Sequence, residues 1–209
     1  MKNILLLGDS IRMGYDKSVR KTLEGKANVY FPSDCCRFAS YLLRYLYDYK
    51  CLIKDENVDV VHWNAGLWDC LRLFEDGPHV PIEIYALYIE RICKRMKLFF
   101  PNAKIIFATS TKVQSEKMPK EVIRYNEDII EYNKVAVEIV KKYGFAVNDL
   151  YAVSDSLPKE AHSDPSHYYT TIGTEAFTNA VLKHIKEALE LDEELIYKEE
   201  LYTDKPIGI

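Results

Sequence analysis

The sequence has 209 residues, the length of one α/β domain, and its 48% hydrophobic and 29% charged content excludes a disordered or low-complexity chain. With 28 Lys and Arg against 32 Asp and Glu, the net charge of −4 argues against nucleic acid and anionic membranes as partners. Apolar runs such as Ile4-Leu5-Leu6-Leu7 are far shorter than a membrane span, and only Lys2 precedes that run as a cation, so no signal peptide is readable and a cytoplasmic location is expected.

Taken in chain order, residues 3 to 7 form a continuous apolar run ended by Gly8, the pattern of a strand buried on both faces of a parallel sheet. Similar runs at Asn28–Phe31, Val58–Trp63, Ala103–Thr109 and Phe145–Val147 alternate with segments of helical period, which predicts βαβ units. Phe38, Tyr41, Leu42, Tyr45, Leu46 and Tyr49 make the stripe of a first covering helix. A second begins at Pro81, turns Ile84, Leu87, Tyr88, Ile92, Met96 and Phe99 inward, and stops at Pro101. The third is expected from about Lys120 to Tyr143, with Tyr125, Ile129, Tyr132, Ala136 and Val140 inward and Gly144 as the left-handed terminator. A last helix starts near Thr171, carries Ala176, Ala180, Val181, Ile185, Ala188 and Leu189 inward, and has Glu175 in its first turn to favour the dipole.

No repeat or Gly/Ser linker divides the chain, so one domain is expected over residues 1–190. An acidic extension covers 191–209; Leu191, Leu195 and Tyr202 leave open a helix extension, a strap over the body, or a contact in a homo-oligomer. Five cysteines (Cys35, Cys36, Cys51, Cys70, Cys93) without a C-x-x-C pair point to reduced thiols, and no metal site or cofactor is expected.

In open parallel sheets the functional crevice lies at the carboxyl ends of the strands. Gly8-Asp9-Ser10 sits at such an end: Gly8 allows a sharp exit, and Ser10 is left as a candidate nucleophile whose own N–H faces a developing oxyanion. The base comes from Asp164-Pro165-Ser166-His167, where the three-residue spacing brings the Asp164 carboxylate to one imidazole nitrogen and leaves the other to take the Ser10 proton. His162 lacks an Asp at that spacing, and His62, inside a strand, is expected to be a core residue.

These two blocks resemble those of the SGNH (GDSL-type) hydrolases: Gly8-Asp9-Ser10-Ile11 after the first strand and Asp164-x-x-His167 before the last helix, followed by Tyr168-Tyr169-Thr170-Thr171-Ile172-Gly173. The resemblance implies a flavodoxin-like three-layer α/β/α fold with a parallel five-stranded sheet. It also implies ester hydrolysis through an acyl-serine without metal or organic cofactor. Two other family blocks depart from the pattern. Where the family has Gly-x-Asn-Asp, this chain has Gly66-Leu67-Trp68-Asp69, and an indole cannot replace the carboxamide; Asn64, two residues before Gly66, is the proposed substitute donor. Where the family has a glycine after the second strand, the chain reads Pro32-Ser33-Asp34-Cys35-Cys36-Arg37, and the backbone N–H of Cys36 or Arg37 is the expected replacement.

Asp9, Arg12, Arg37 and Trp68 flank these turns and are the candidate substrate contacts; with Trp63, Tyr168 and Tyr169 they hint at a small acylated carbohydrate as the ester. The altered blocks keep two further readings in view, an O-acyltransferase with the same triad and a non-catalytic sugar or ligand binder on the same fold.

Overall fold

The computed structural model describes residues 1–54, 57–74 and 76–203. Strand β1 (Lys2–Leu7) leads into a single turn of helix, α1 (Ser10–Met13), then α2 (Asp16–Thr22) and β2 (Ala27–Tyr30). Helix α3 (Ala39–Lys50), β3 (Val60–Trp63) and the two-residue β4 (Arg72–Leu73) precede the long α4 (Ile82–Phe99). Strand β5 (Lys104–Ala108), the two-residue β6 (Val122–Ile123), α5 (Asn126–Lys142), β7 (Ala146–Asn148), α6 (Leu150–Ser156) and α7 (Thr171–Leu189) complete the order. The main sheet runs β2-β1-β3-β5-β7, all neighbours parallel. Helices α3, α4 and α5 pack in one row and α2, α7 and α6 in another, with α7 against β3 and β7. This is the expected α/β architecture, a five-stranded parallel sheet between helices.

Burial on both sheet faces accounts for the uninterrupted apolar strands: Ile4 to Leu7 and Val60, Val61 and Trp63 are fully enclosed. His62, in the same strand, is a core residue as expected. Its Nε2 meets the Asn148 amide at 3.1 Å, Tyr15 packs edge-on at 6.0 Å, and burial pulls its pKa down to about 3, so the ring is neutral.

The helix predictions hold in place but shift in detail. In α3 the enclosed residues are Ala39, Leu42, Leu43, Leu46 and Tyr49, whereas Phe38 is the cap and Tyr41 and Tyr45 are half-buried. In α4 the inward face is Tyr85, Ile89, Ile92, Cys93 and Met96, leaving Ile84 and Leu87 exposed. The Tyr85 hydroxyl donates to the Ala65 carbonyl at 2.8 Å, which fixes that rotation. Helix α5 begins at Asn126 rather than Lys120, because Val122 and Ile123 pair antiparallel with Leu73 and Arg72. Asn126 then bonds both backbone groups of Val113 at 3.0 Å. Helix α7 starts at Thr171 as expected, but its cap is Thr170, whose Oγ1 accepts from the Gly173 N–H, and no acid occupies its first turn.

The extension takes the strap reading. Glu190 adopts a left-handed conformation that ends α7, and the segment beyond returns along α2. There Ser18 Oγ donates to the Glu200 carbonyl and accepts its N–H, Thr22 Oγ1 accepts the Lys198 N–H, Lys26 pairs with Glu193, and Leu195 packs on the core. Residues 204–209 of the predicted extension lie outside the described residues.

Candidate active site

All the chemistry-bearing turns lie at the carboxyl edge of the sheet. Gly8 leaves β1 at φ +155°, and a β-carbon there would sit 1.8 Å from Asn64 Oδ1, so this exit requires glycine. Asp9 then caps α1, its Oδ1 accepting the Ile11 N–H at 2.9 Å. That cap presents Ser10 as the first helical residue, with its own N–H outside the intrahelical ladder.

His167 Nε2 lies 2.7 Å from Ser10 Oγ, and His167 Nδ1 lies 2.9 Å from both carboxylate oxygens of Asp164. Burial opposes ionisation of Asp164, but its bonds to the His167 ring and to the N–H groups of Ser166 and His167 outweigh it and hold the carboxyl below its usual range. The loop is tied down on both sides: Ser163 N–H donates to the His167 carbonyl at 2.9 Å, and Gln114 N–H to the Pro165 carbonyl at 2.8 Å. Tyr169 adds a support that sequence reasoning placed only as a sugar platform. Its ring stacks on His167 at 4.9 Å and its hydroxyl donates to the Ser10 carbonyl at 2.6 Å, tying the candidate base and the candidate nucleophile to one side chain. A nucleophile, a base and an orienting carboxylate in this arrangement can carry acyl transfer.

The expected oxyanion donors fare unequally. Cys36 N–H donates to the Gly8 carbonyl at 3.0 Å and Arg37 N–H to Cys35 Sγ at 3.4 Å, so neither is available, and this loop precedes the helix proper, which begins at Ala39. Asn64 turns its amide to the Asp9 carboxyl, and its Oδ1 lies against Gly8 with no partner. Gly66, at φ +140°, is the site of a close approach: a β-carbon would meet Ser110 Oγ at 2.8 Å and the Tyr85 hydroxyl at 3.0 Å.

Two of the four candidate substrate contacts are structural. Arg12 is 1% exposed, paired with Asp16, and donates to the carbonyls of Pro32 at 2.9 Å and Asp34, so it fixes the loop after β2. A guanidinium can be buried this way because a carboxylate and two carbonyls take up its terminal N–H groups. Asp9 is enclosed and serves the cap, and burial raises its pKa. Arg37 and Trp68 remain half-exposed: Arg37 lies over the Tyr41 ring at 5.1 Å, and Trp68 meets Phe38 edge-on at 5.4 Å, with His79 stacked on Phe38 at 4.7 Å. Of the other aromatics, Trp63 packs on Phe107 in the core and Tyr168 on Phe177, so they face no substrate. His162 stacks on Tyr168 at 4.0 Å.

The whole fold matches a lipase/acylhydrolase from Enterococcus faecalis with a TM-score of 0.71 at 21% identity, covering 96% of this chain and 100% of that one. An acetylxylan esterase from Geobacillus stearothermophilus matches with a TM-score of 0.68 at 16% identity, covering 95% and 97%. In sequence, the chain is 27% identical over 122 residues to the GDSL esterase/lipase CPRD49 of Arabidopsis thaliana, spanning 54% of this chain and 47% of that protein. The chain has the fold of the SGNH (GDSL-type) hydrolases. A second relative, the GDSL esterase/lipase WDL1 of Oryza sativa subsp. japonica, is 25% identical over 122 residues, so the chain spans about half the length of the curated relatives it matches. No family model matches. Against that family's pattern the departures are concentrated in the blocks after β2 and β3; in the first of these the Cys36 N–H is bonded to the Gly8 carbonyl and the Arg37 N–H to Cys35 Sγ instead of being free donors.

Proposed function

We propose that this SGNH-fold chain is a serine ester hydrolase that removes a short acyl group, with acetyl on a carbohydrate or another small alcohol as the first candidate. Ser10 is the nucleophile, His167 the base and Asp164 the group that fixes the imidazole tautomer. The observation that carries the reading is the continuous link Ser10 Oγ to His167 Nε2 at 2.7 Å and His167 Nδ1 to Asp164 at 2.9 Å. Attack by Ser10 on the acyl carbon passes its proton to His167 Nε2, and His167 returns it to the departing alcohol. Water activated by the same nitrogen then cleaves acyl-Ser10. The half-exposed aromatic group of Trp68 and Phe38, together with the likeness to an acetylxylan esterase, supports a carbohydrate alcohol.

The test is labelling by a serine-reactive fluorophosphonate, with the adduct located by peptide mass spectrometry. Expected is an adduct on Ser10 that disappears in His167→Ala. Wild-type protein that stays unlabelled at Ser10 would return the chain to a ligand-binding role on the same fold.

A further inference from the structure

Arg124, directly after β6, has a buried guanidinium, 3% exposed, with two hydrogen bonds: Nε to the Leu67 carbonyl at 2.6 Å and Nη1 to Ser166 Oγ at 3.3 Å. No carboxylate pairs with it among the described residues, which sets it apart from Arg12, buried just as deeply but matched by Asp16. Its two partners belong to loops of the candidate site. Leu67 precedes Trp68, the residue standing where the family has its donor asparagine, and Ser166 precedes His167, so the guanidinium bridges the two loops that flank Ser10. Burial lowers its pKa, partly offset by Cys70 and by the carboxylates of Asp9 and Asp164, which act on it from across the site.

A guanidinium carries five N–H donors, and Arg124 uses two. A buried cation without a counterion is costly unless an anion arrives. The neutral donors that would receive an oxyanion are meanwhile missing or used: Trp68 has no carboxamide, the Cys36 N–H is bonded to the Gly8 carbonyl and that of Arg37 to Cys35 Sγ, and the Asn64 amide faces Asp9. We propose that Arg124 supplies the missing donor, a charged N–H that binds the oxyanion formed at Ser10. The step rests on the acyl-serine reading above. As Ser10 Oγ bonds to the acyl carbon and its proton moves to His167 Nε2, the carbonyl π pair becomes the oxyanion lone pair, held by the Ser10 N–H and an Arg124 N–H. Its return reforms the carbonyl and expels the alcohol, protonated by His167.

The experiment compares wild type, Arg124→Ala and Arg124→Lys on p-nitrophenyl acetate, a neutral ester, with kcat and KM separated and folding checked by near-ultraviolet circular dichroism. Arg124→Ala is expected to lose about 10²–10³ in kcat with KM little changed, the usual result of removing one oxyanion donor. Arg124→Lys keeps the charge and should fall between, and guanidinium at sub-denaturing concentration should restore part of the Arg124→Ala rate. Wild-type kcat in Arg124→Ala overturns the proposal, as does a kcat loss that guanidinium does not reverse, which would make Arg124 only a clamp on Leu67 and Ser166. A defect confined to KM for a carboxylate-bearing ester also overturns it. If Arg124→Ala does not fold, a wild-type kcat in Arg124→Lys decides against it. A wild type that neither turns over ester nor labels at Ser10 sinks the acyl-serine reading, whereas a labelling wild type matched by its Arg124 variants sinks this inference alone.

Discussion

Asp69 gives a stability prediction that can be worked through. Its side chain is fully buried beside the candidate site, and both carboxylate oxygens accept a single N–H, that of Ala39 at the start of α3, at 3.1 and 3.0 Å. One donor does not compensate the burial of a full charge, and the carboxyl is pushed from 3.8 up to about 7. The folded protein therefore holds this proton more tightly than the unfolded chain does. The associated stability is complete below 3.8 and drains away as pH rises to about 7. About three pH units at about 1.4 kcal/mol each give a loss of about 4 kcal/mol. Asp69→Asn keeps an acceptor for the Ala39 N–H but cannot ionise. Its new amide donor adds a pH-independent cost of about 1–3 kcal/mol if unpaired. Urea denaturation of both proteins from roughly pH 4 to pH 9 isolates the effect, because titrating groups not coupled to Asp69 cancel in the difference. Wild-type stability minus Asp69→Asn stability should fall with rising pH and level off above 7. A flat difference, or one that climbs, would show that Asp69 is already ionised in the folded protein and that the burial argument is wrong.

Arg12→Met should lower stability by about 3–5 kcal/mol, because it strands the buried Asp16 carboxylate and frees the carbonyls of Pro32 and Asp34; chemical denaturation measures it, and a loss below about 1 kcal/mol would mean that the pair is solvated. Gly8→Ala places a β-carbon 1.8 Å from Asn64 Oδ1 at a φ that side chains avoid, so little soluble folded protein is expected on expression; a variant with wild-type melting would refute the tight exit from β1.

Where chemistry depends on neighbours in sequence, the sequence was legible. Gly8-Asp9-Ser10 and Asp164-x-x-His167 act through bonds spanning two or three residues, and their placement follows from which strand or helix adjoins them. The strands were readable because burial on both faces removes polar alternation. Helix α4 is apolar on more than one side, so periodicity alone left its rotation free, and a contact from Tyr85 to the distant Ala65 chose it. The start of α5 was hidden for a similar reason: Val122 and Ile123 are strand only because Arg72 and Leu73 lie beside them. Donor availability is more remote still. That Cys36 spends its N–H on Gly8 is a tertiary fact, and so is the burial of Arg12, which the sequence offered as a substrate contact, and of Arg124, which no motif marked.

The strap along α2 reaches the reaction centre at its far end. The Tyr202 ring lies 4.8 Å from Tyr169, which stacks on His167 and bonds the Ser10 carbonyl. A segment held by a few hydroxyl and backbone bonds opens at far lower free energy than the sheet. Docking of the strap and ordering of Ser10 thus share one local equilibrium. On warming, turnover should decline over a range in which probes of the sheet still report folded protein, and the gap between the two curves measures how firmly the strap is seated.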